Sequence, residues 1–513
     1  MLNTSLPSKV HSAQTLLLKA KIIDIEVDLA RGLHSFSIVG LPDKAVEESK
    51  DRISAAIKNS GYKSPKSKNE KVVISLAPAD IKKEGPFFDL PMALSYLLSS
   101  KEIDFNPEGK IFLGELSLSG EVRRIHGVLP IVLEIHKRGF LEIYLPKENA
   151  KEASLIKGPK IFPVESLQQV IKHLSGEDPI EEYKGEEFQV VDSEILYDFA
   201  DIKGQNSAKR GLLIAACGGH NAAMYGPPGT GKTMLAKSFA SILPPLSYDE
   251  ILEVNSIHSV SGNLKEGNIL TNAPIRSPHH TSSYVSMVGG GTYPKPGEIT
   301  LAHKGVLFLD EMAEFEKRVI EALRQPLEDR VVSISRSRGS AIFPADFILI
   351  AALNPCPCGN FGSSKNCICS PSDINRYHKK ISGPVIDRVD IWLEVSKVDY
   401  GALSSGETVP SESLKFKEIV KNVRDKQQKR FKDLGFKLNS GMSSKNIVRF
   451  ALLEENAKKV LDDSAQKLDL SGRSYHRVMK VARTIADIEG GEKVCADHIL
   501  EALQYRPRNM FSF

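Results

Sequence analysis

Residues 221–233 read NAAMYGPPGTGKT, and this stretch limits the possible folds more than any other in the chain. An apolar run, a glycine-rich turn and a helix starting near Lys232 follow one another. Gly226, Gly231, Lys232 and Thr233 fill the pattern G-x-x-x-x-G-K-[ST], with Pro227, Pro228, Gly229 and Thr230 between them. Gly226, Gly229 and Gly231 let the backbone wrap a phosphate with its N–H groups pointing inward. The following helix adds its positive N-terminal end. Lys232 can neutralise the β- and γ-phosphates, and the Thr233 hydroxyl can hold Mg²⁺. The alternative is a chance glycine-rich loop, but the apolar strand before it and the acidic pair after it favour a nucleotide. The expectation is an α/β fold whose phosphate-loop core takes ATP and Mg²⁺.

The partner elements follow in order. Residues 305–311 read GVLFLDE: four apolar residues make a strand buried on both faces, ending in two acids. An acidic pair at the C-terminal end of a parallel strand lies at the nucleotide crevice. Asp310 is expected to orient Mg²⁺ through its water shell, and Glu311 to polarise the attacking water; a surface turn is the bland alternative. Residues 347–355 (FILIAALNP) form a third strand ending in Asn354, whose amide can position that water. Residues 379–395 (KKISGPVIDRVDIWLEV) carry Arg388 at the end of a short helix. In ring ATPases such an arginine reaches the neighbour's site and is worth roughly 10³–10⁵ in rate. A salt bridge to Asp387 or Asp390 is the competing reading. In residues 323–346, VVSIS and SAIF read as a hairpin with SRSRG at its tip. Arg336 and Arg338 there are candidate DNA contacts, set against an ordinary solvated turn. Residues 256–300 show no clear periodicity and read as an insert, with His279 and His280 as loop packing or, less simply, metal ligands.

Of six cysteines, four fall in residues 356–369 as Cys356-x-Cys358-x8-Cys367-x-Cys369. Four thiolates so close suit a closed tetrahedral Zn²⁺ site in a reducing compartment better than a disulfide framework; redox-active or plain cysteines are the alternatives. Lys+Arg (68) and Asp+Glu (64) nearly balance, so any basic surface for nucleic acid must be local. Neither a secretory signal nor a membrane span is expected, which points to the cytoplasm.

With 513 residues there is room for about three domains. Residues 1–175 alternate strand-like and helix-like patterns as an α+β domain. An acidic linker is expected over 176–197, the ATPase core over 198–398 and a helical lid over 399–513. The first of these resembles the proteolytic domain of Lon. EGPFFDLPMAL sits where Lon has its Gly-Pro-Ser turn, and GELSLSGEVRRIHGVL where Lon has the strands before its catalytic lysine. Phe87 stands in the serine position, and Val128, Leu129 and Pro130 in the lysine neighbourhood. A Ser–Lys mechanism needs a hydroxyl and an amine, so peptidase activity is not expected. The resemblance, which extends to RadA-type proteins, leaves assembly, DNA contact or plain stabilisation as its role. In the lid, residues 470–490 form an amphipathic helix with Val478, Val481 and Ile485 inward. Arg473 opens it and is the candidate to reach the γ-phosphate from the same subunit; Arg477 competes.

GPPGTGKT, the PHHTSS…GGG…PGEITLAHKGVLFLDE run, LRQPLED, ALNPCPCG and ISGPVIDRVD together resemble the ComM/YifB family of magnesium-chelatase-like AAA+ proteins. The resemblance covers nearly the whole chain. It implies a homo-hexameric ring that hydrolyses ATP and drives branch migration of DNA during natural transformation. It also implies roles: Lys232 and Thr233 as the phosphate-loop pair, Asp310 and Glu311 as the acid pair, Asn354 as first sensor, Arg388 as finger, Arg473 as second sensor. By similarity to MCM helicases, Arg336 falls where a basic residue tips the hairpin. A chelatase-type or protein-remodelling ATPase is the alternative.

Overall fold

The computed structural model describes residues 9–185, 195–264, 268–291, 294–336, 339–361, 365–397 and 411–507, with the side chains of 335, 336, 339 and 340 excepted. The chain forms two compact units. One is Met1–Gln189 together with Tyr248–Leu270; the other is Val190–Ser247 together with Thr271–Phe513.

In the first unit, Lys19–Arg31 alternates apolar and polar residues. Ile23, Ile25 and Val27 point into the core while Lys21 faces out. This strand lies between Lys9–Leu16 and Glu70–Ala77, antiparallel to both, and Ser35–Val39 closes the sheet parallel to Glu70–Ala77. Helices Lys44–Asn59 and Asp89–Ser99 are joined by an ion pair: Arg52 Nε donates to the buried Asp89 carboxylate at 2.8 Å. A second, parallel sheet holds Lys110–Phe112, Glu142–Pro146 and Lys160–Val164. Its register stacks Phe112, Tyr144 and Phe162 with ring centroids 4.8 and 4.9 Å apart. A short hairpin pairs Glu115–Leu116 with Val122–Arg123. Val128, Leu129 and Pro130 are buried in the first turn of helix Val128–Lys137.

Residues 256–300 contain more regular structure than their lack of periodicity suggests. Helix Tyr248–Ser261 takes in their start and belongs to the first unit, although it lies inside the 198–398 span in sequence. It buries Asn255, Ser256, His258 and Ser259 as well as Ile251, Val254 and Ile257, so no polar face marks it out. Two of these polar groups, Asn255 and Ser259, have partners within the same unit. Asn255 exchanges hydrogen bonds with the backbone of Leu270 at 2.8 and 2.9 Å, and the Ser259 hydroxyl donates to buried Glu152. Residues 176–185 also run with the first unit, the Tyr183 amide donating to the Ile161 carbonyl at 2.8 Å.

The second unit is built on a five-stranded parallel sheet in the order Ile275–Arg276, Val306–Leu309, Ile348–Leu353, Ala222–Tyr225, Ile391–Glu394. Val306–Leu309 and Ile348–Leu353 are buried at every position, as strands covered on both faces must be. The expected hairpin pairs Val331–Arg336 with Gly339–Pro344, and Arg336 opposite Gly339 is its last pair. Arg338 and the Arg336 side chain lie outside the described residues. Among the described residues after 410, the helices are Glu412–Arg430, Ser444–Phe450, Glu455–Lys467, Gly472–Glu489 and Ala496–Gln504.

This helical region is pinned by one carboxylate. Asp487 accepts from Arg483 Nη2 at 2.7 Å, Arg430 Nη1 at 2.9 Å and Asn439 Nδ2 at 2.8 Å, with its side chain and that of Arg483 each 1% exposed. Burial alone would raise the Asp487 pKa; the Arg430 hydrogen bond and the Arg483 charge outweigh it and hold the value below 3.8. Removing the carboxylate takes the anionic partner from the buried Arg483 guanidinium and from the part-buried Arg430. Asp487→Ala is therefore expected to lower unfolding free energy by about 3–5 kcal/mol, read from the denaturant midpoint. The same contribution is fully present above pH 3.8 and is lost as pH falls through the lowered folded value.

Candidate functional site

Three parallel strands end at one place. Ala222–Tyr225 runs into the turn 226–231, Val306–Leu309 into Asp310 and Glu311, and Ile348–Leu353 into Asn354. The turn needs its glycines for different reasons. A Cβ on Gly226 would lie 2.0 Å from the Val395 carbonyl oxygen, so only glycine fits against the neighbouring strand. Gly229 and Gly231 take φ of +76° and +92°, a region that side chains disfavour. Helix Lys232–Ser241 then starts without a side-chain cap, leaving its first turn without that partner for its N–H groups.

Lys232 is buried and spans the turn. Its Nζ donates to the Gly226 carbonyl at 2.6 Å, the Pro227 carbonyl at 2.8 Å and Asn354 Oδ1 at 3.3 Å. Burial lowers its pKa, and the nearby charges of Asp310 and Glu311 partly restore it. Thr233 Oγ1 donates to Asp310 Oδ2 at 2.9 Å, so the hydroxyl and the carboxylate converge as a Mg²⁺ site requires. The Glu311 amide donates to Asp310 Oδ1 at 3.0 Å, and Glu311 itself sits at φ +50°. Its carboxylate stays half exposed, with Oε2 3.6 Å from His280 Nδ1. Of the predicted residues, then, Lys232, Thr233, Asp310 and Asn354 form one hydrogen-bonded group, with Glu311 beside it.

The two candidate arginines meet elsewhere in the same unit. Arg388 follows helix Gly383–Ile386, donates through Nη1 to the Pro384 carbonyl at 2.6 Å, and pairs with Glu328. The partner is thus Glu328 on helix Arg324–Asp329, rather than Asp387 or Asp390 as the sequence offered. Arg473 Nη2 lies 3.5 Å from the other oxygen of Glu328. The hydrogen bond and charge of Arg388, with Arg473 adding, hold the Glu328 carboxyl below its usual range. Arg477 points to Asp390 instead, at 3.5 Å.

The four cysteines also converge. Cys356 Sγ lies 3.4 Å from Cys358 Sγ and 3.7 Å from Cys367 Sγ, and Cys358 lies 3.6 Å from Cys367. All four sulfurs, Cys369 included, fall within 4.8 Å of one another. Four thiolates around zinc at about 2.3 Å stand about 3.8 Å apart, so the set fits that ion.

Similarity to known proteins accords with this geometry. The family profile described as magnesium chelatase, subunit ChlI, matches residues 198–403. Those for subunit ChlI of Mg-chelatase and for the ChlI C-terminal region match 25–149 and 410–506. The competence protein ComM of Haemophilus influenzae is 40% identical over 501 residues, 97% of each chain. This chain belongs to the ComM/YifB family of magnesium-chelatase-like AAA+ ATPases. Escherichia coli YifB, described as uncharacterized, is likewise 40% identical over 500 residues and 97% of each chain. A shorter match of 92 residues, 18% of this chain and 22% of the relative, is 35% identical to the DNA repair protein RadA of Streptococcus pneumoniae.

Two site residues of this ComM/YifB chain escape reading by motif. Glu328 sits in the quoted LRQPLED run, yet nothing local shows that it bridges Arg388 and Arg473. His280 reads as loop packing, and its ring does lie against His279, tilted with centroids 4.2 Å apart, but its other neighbour is Glu311. Among the described residues no helix is long and apolar enough to cross a membrane.

Proposed function

We propose that this chain is an ATP-driven DNA motor of the cytoplasm, assembled as a homo-hexameric ring, that promotes branch migration of recombination intermediates. The convergence of Lys232, Thr233, Asp310 and Asn354 at the ends of three parallel strands carries the ATPase reading. Full-length similarity to a protein named for competence carries the DNA reading. In this reading residues 226–233 cradle the phosphates and Lys232 neutralises them. Thr233 and Asp310 hold Mg²⁺, which supplies charge neutralisation on the phosphate oxygens. Glu311 accepts a proton from the attacking water and Asn354 orients it. Arg388 and Arg473, sharing Glu328, serve one and the same nucleotide. Arg336 and Arg338 grip DNA phosphates at the hairpin tip, and the N-terminal unit, similar in sequence to a Lon-type domain, contributes assembly or DNA contact.

A second reading has one specific support: the matched profiles are those of a chelatase subunit, so the same motor can act on a protein. ATP hydrolysis with and without single-stranded and four-way-junction DNA separates the two, together with junction separation on a gel. Severalfold stimulation and junction separation are expected of the DNA motor. Turnover indifferent to DNA, with intact junctions, would move the assignment to protein remodelling.

A further inference from the structure

The cysteine loop is joined at both ends to parts of the proposed nucleotide site. Cys356 comes two residues after Asn354, whose amide oxygen holds Lys232 Nζ at 3.3 Å. The intervening Pro355 carbonyl is held by His378 Nε2 at 2.9 Å, at the far end of the helix that leaves the loop. That helix, Pro371–His378, starts directly after the last cysteine with a capping box made by Ser370 and Asp373.

The loop also touches the phosphate loop itself. Gly359, next to Cys358, has φ +76° and its amide donates to the Cys356 carbonyl at 2.9 Å. A Cβ at Gly359 would lie 2.7 Å from Cδ of Pro228, the third residue of GPPGTGKT. Only the absence of that atom lets the cysteine loop lie against the phosphate loop. The Phe361 amide adds a bond to Cys356 Sγ at 3.3 Å, the kind of N–H···S contact that orients a thiolate.

We propose that Cys356, Cys358, Cys367 and Cys369 bind one Zn²⁺, and that occupancy of this site sets ATP affinity by bracing Pro228 and Asn354. The inference rests on residues 226–233 being the ATP site. Ion binding displaces the thiol protons to solvent and closes the loop between a buried strand and a capped helix. Without the ion, the four thiols take their protons back and nothing bonds them to a common centre, so Pro228 and Asn354 lose their support. Nothing in the coupling requires a change in the sheet.

The test uses the full chain, zinc analysis and a fluorescent ATP analogue under conditions without turnover. Protein as purified is expected to hold about one zinc per chain. Stripping zinc with a chelator should weaken analogue binding roughly 5–150-fold, with recovery when Zn²⁺ alone is returned. Gly359→Ala should keep its zinc and still bind the analogue more weakly, because the added methyl meets the Pro228 ring. Lys232→Ala should keep its zinc and lose the analogue. Zinc well below one per chain in native protein overturns the site. Unchanged affinity in both the stripped protein and Gly359→Ala overturns the coupling and leaves the ATP site standing. Zinc-loaded protein that binds no analogue overturns the ATP-site reading on which the coupling depends.

Discussion

Lys232→Ala is expected to reduce ATP turnover by at least ~10²–10³-fold, the loss typical of removing one charge-stabilising group from a preorganised site. The structure gives the substitution two separate effects. The ammonium group holds the turn together through the carbonyls of Gly226 and Pro227 at 2.6 and 2.8 Å. It also faces Asn354 at 3.3 Å, which ties the turn to the next strand. Removing it loosens the cradle and takes away the cation the phosphates would meet. Burial lowers the pKa of Lys232, so the site favours anything that stabilises its charge, and a polyphosphate does so strongly. Nucleotide binding should therefore fall together with turnover. Phosphate release and analogue binding measure the two effects, and circular dichroism should show an intact fold. Turnover within tenfold of the parent would remove residues 226–233 from the hydrolysis site.

Local chemistry was legible in the sequence; long-range pairing was not. The strand Val306–Leu309 and its two acids can be read directly, because burial on both faces leaves an uninterrupted apolar run. The hairpin Val331–Arg336 and Gly339–Pro344 is legible for the opposite reason, alternation around a turn. Helix Tyr248–Ser261 is hidden because its buried polar residues erase the periodicity that marks an ordinary surface helix. Glu328 is hidden by distance along the chain: its partners stand 60 and 145 positions away. No motif encodes such a pairing, since any acid on any neighbouring helix serves the electrostatics equally well. The cysteine cluster is intermediate. Its spacing suggests a metal, but only the fold shows Gly359 against Pro228.

Mixing two inactive variants should restore hydrolysis. Arg388→Ala alone is expected to lose about 10³–10⁵ in rate, and Glu311→Gln alone to lose turnover through the missing base. In a ring with head-to-tail contacts, each proposed site combines one subunit's acid pair with its neighbour's finger. An equal mixture then gives about a quarter of its interfaces an intact Glu311 facing an intact Arg388. Turnover near that fraction of the parent, well above either variant, is the expected result; a mixture no better than its components would make Arg388 a same-subunit or structural residue. Arg473 allows a sharper version. Sequence position suggested that it serves its own subunit's nucleotide, but it shares the Glu328 carboxylate with Arg388 at 3.5 Å. Two guanidinium groups on one carboxylate cannot easily address two different nucleotides. An Arg473→Ala and Glu311→Gln mixture should therefore recover turnover just as the Arg388→Ala mixture does. If only the Arg388→Ala mixture recovers, Arg473 leaves Glu328 on assembly and turns to its own phosphate loop. Glu328 would then be the carboxylate that it exchanges for the γ-phosphate.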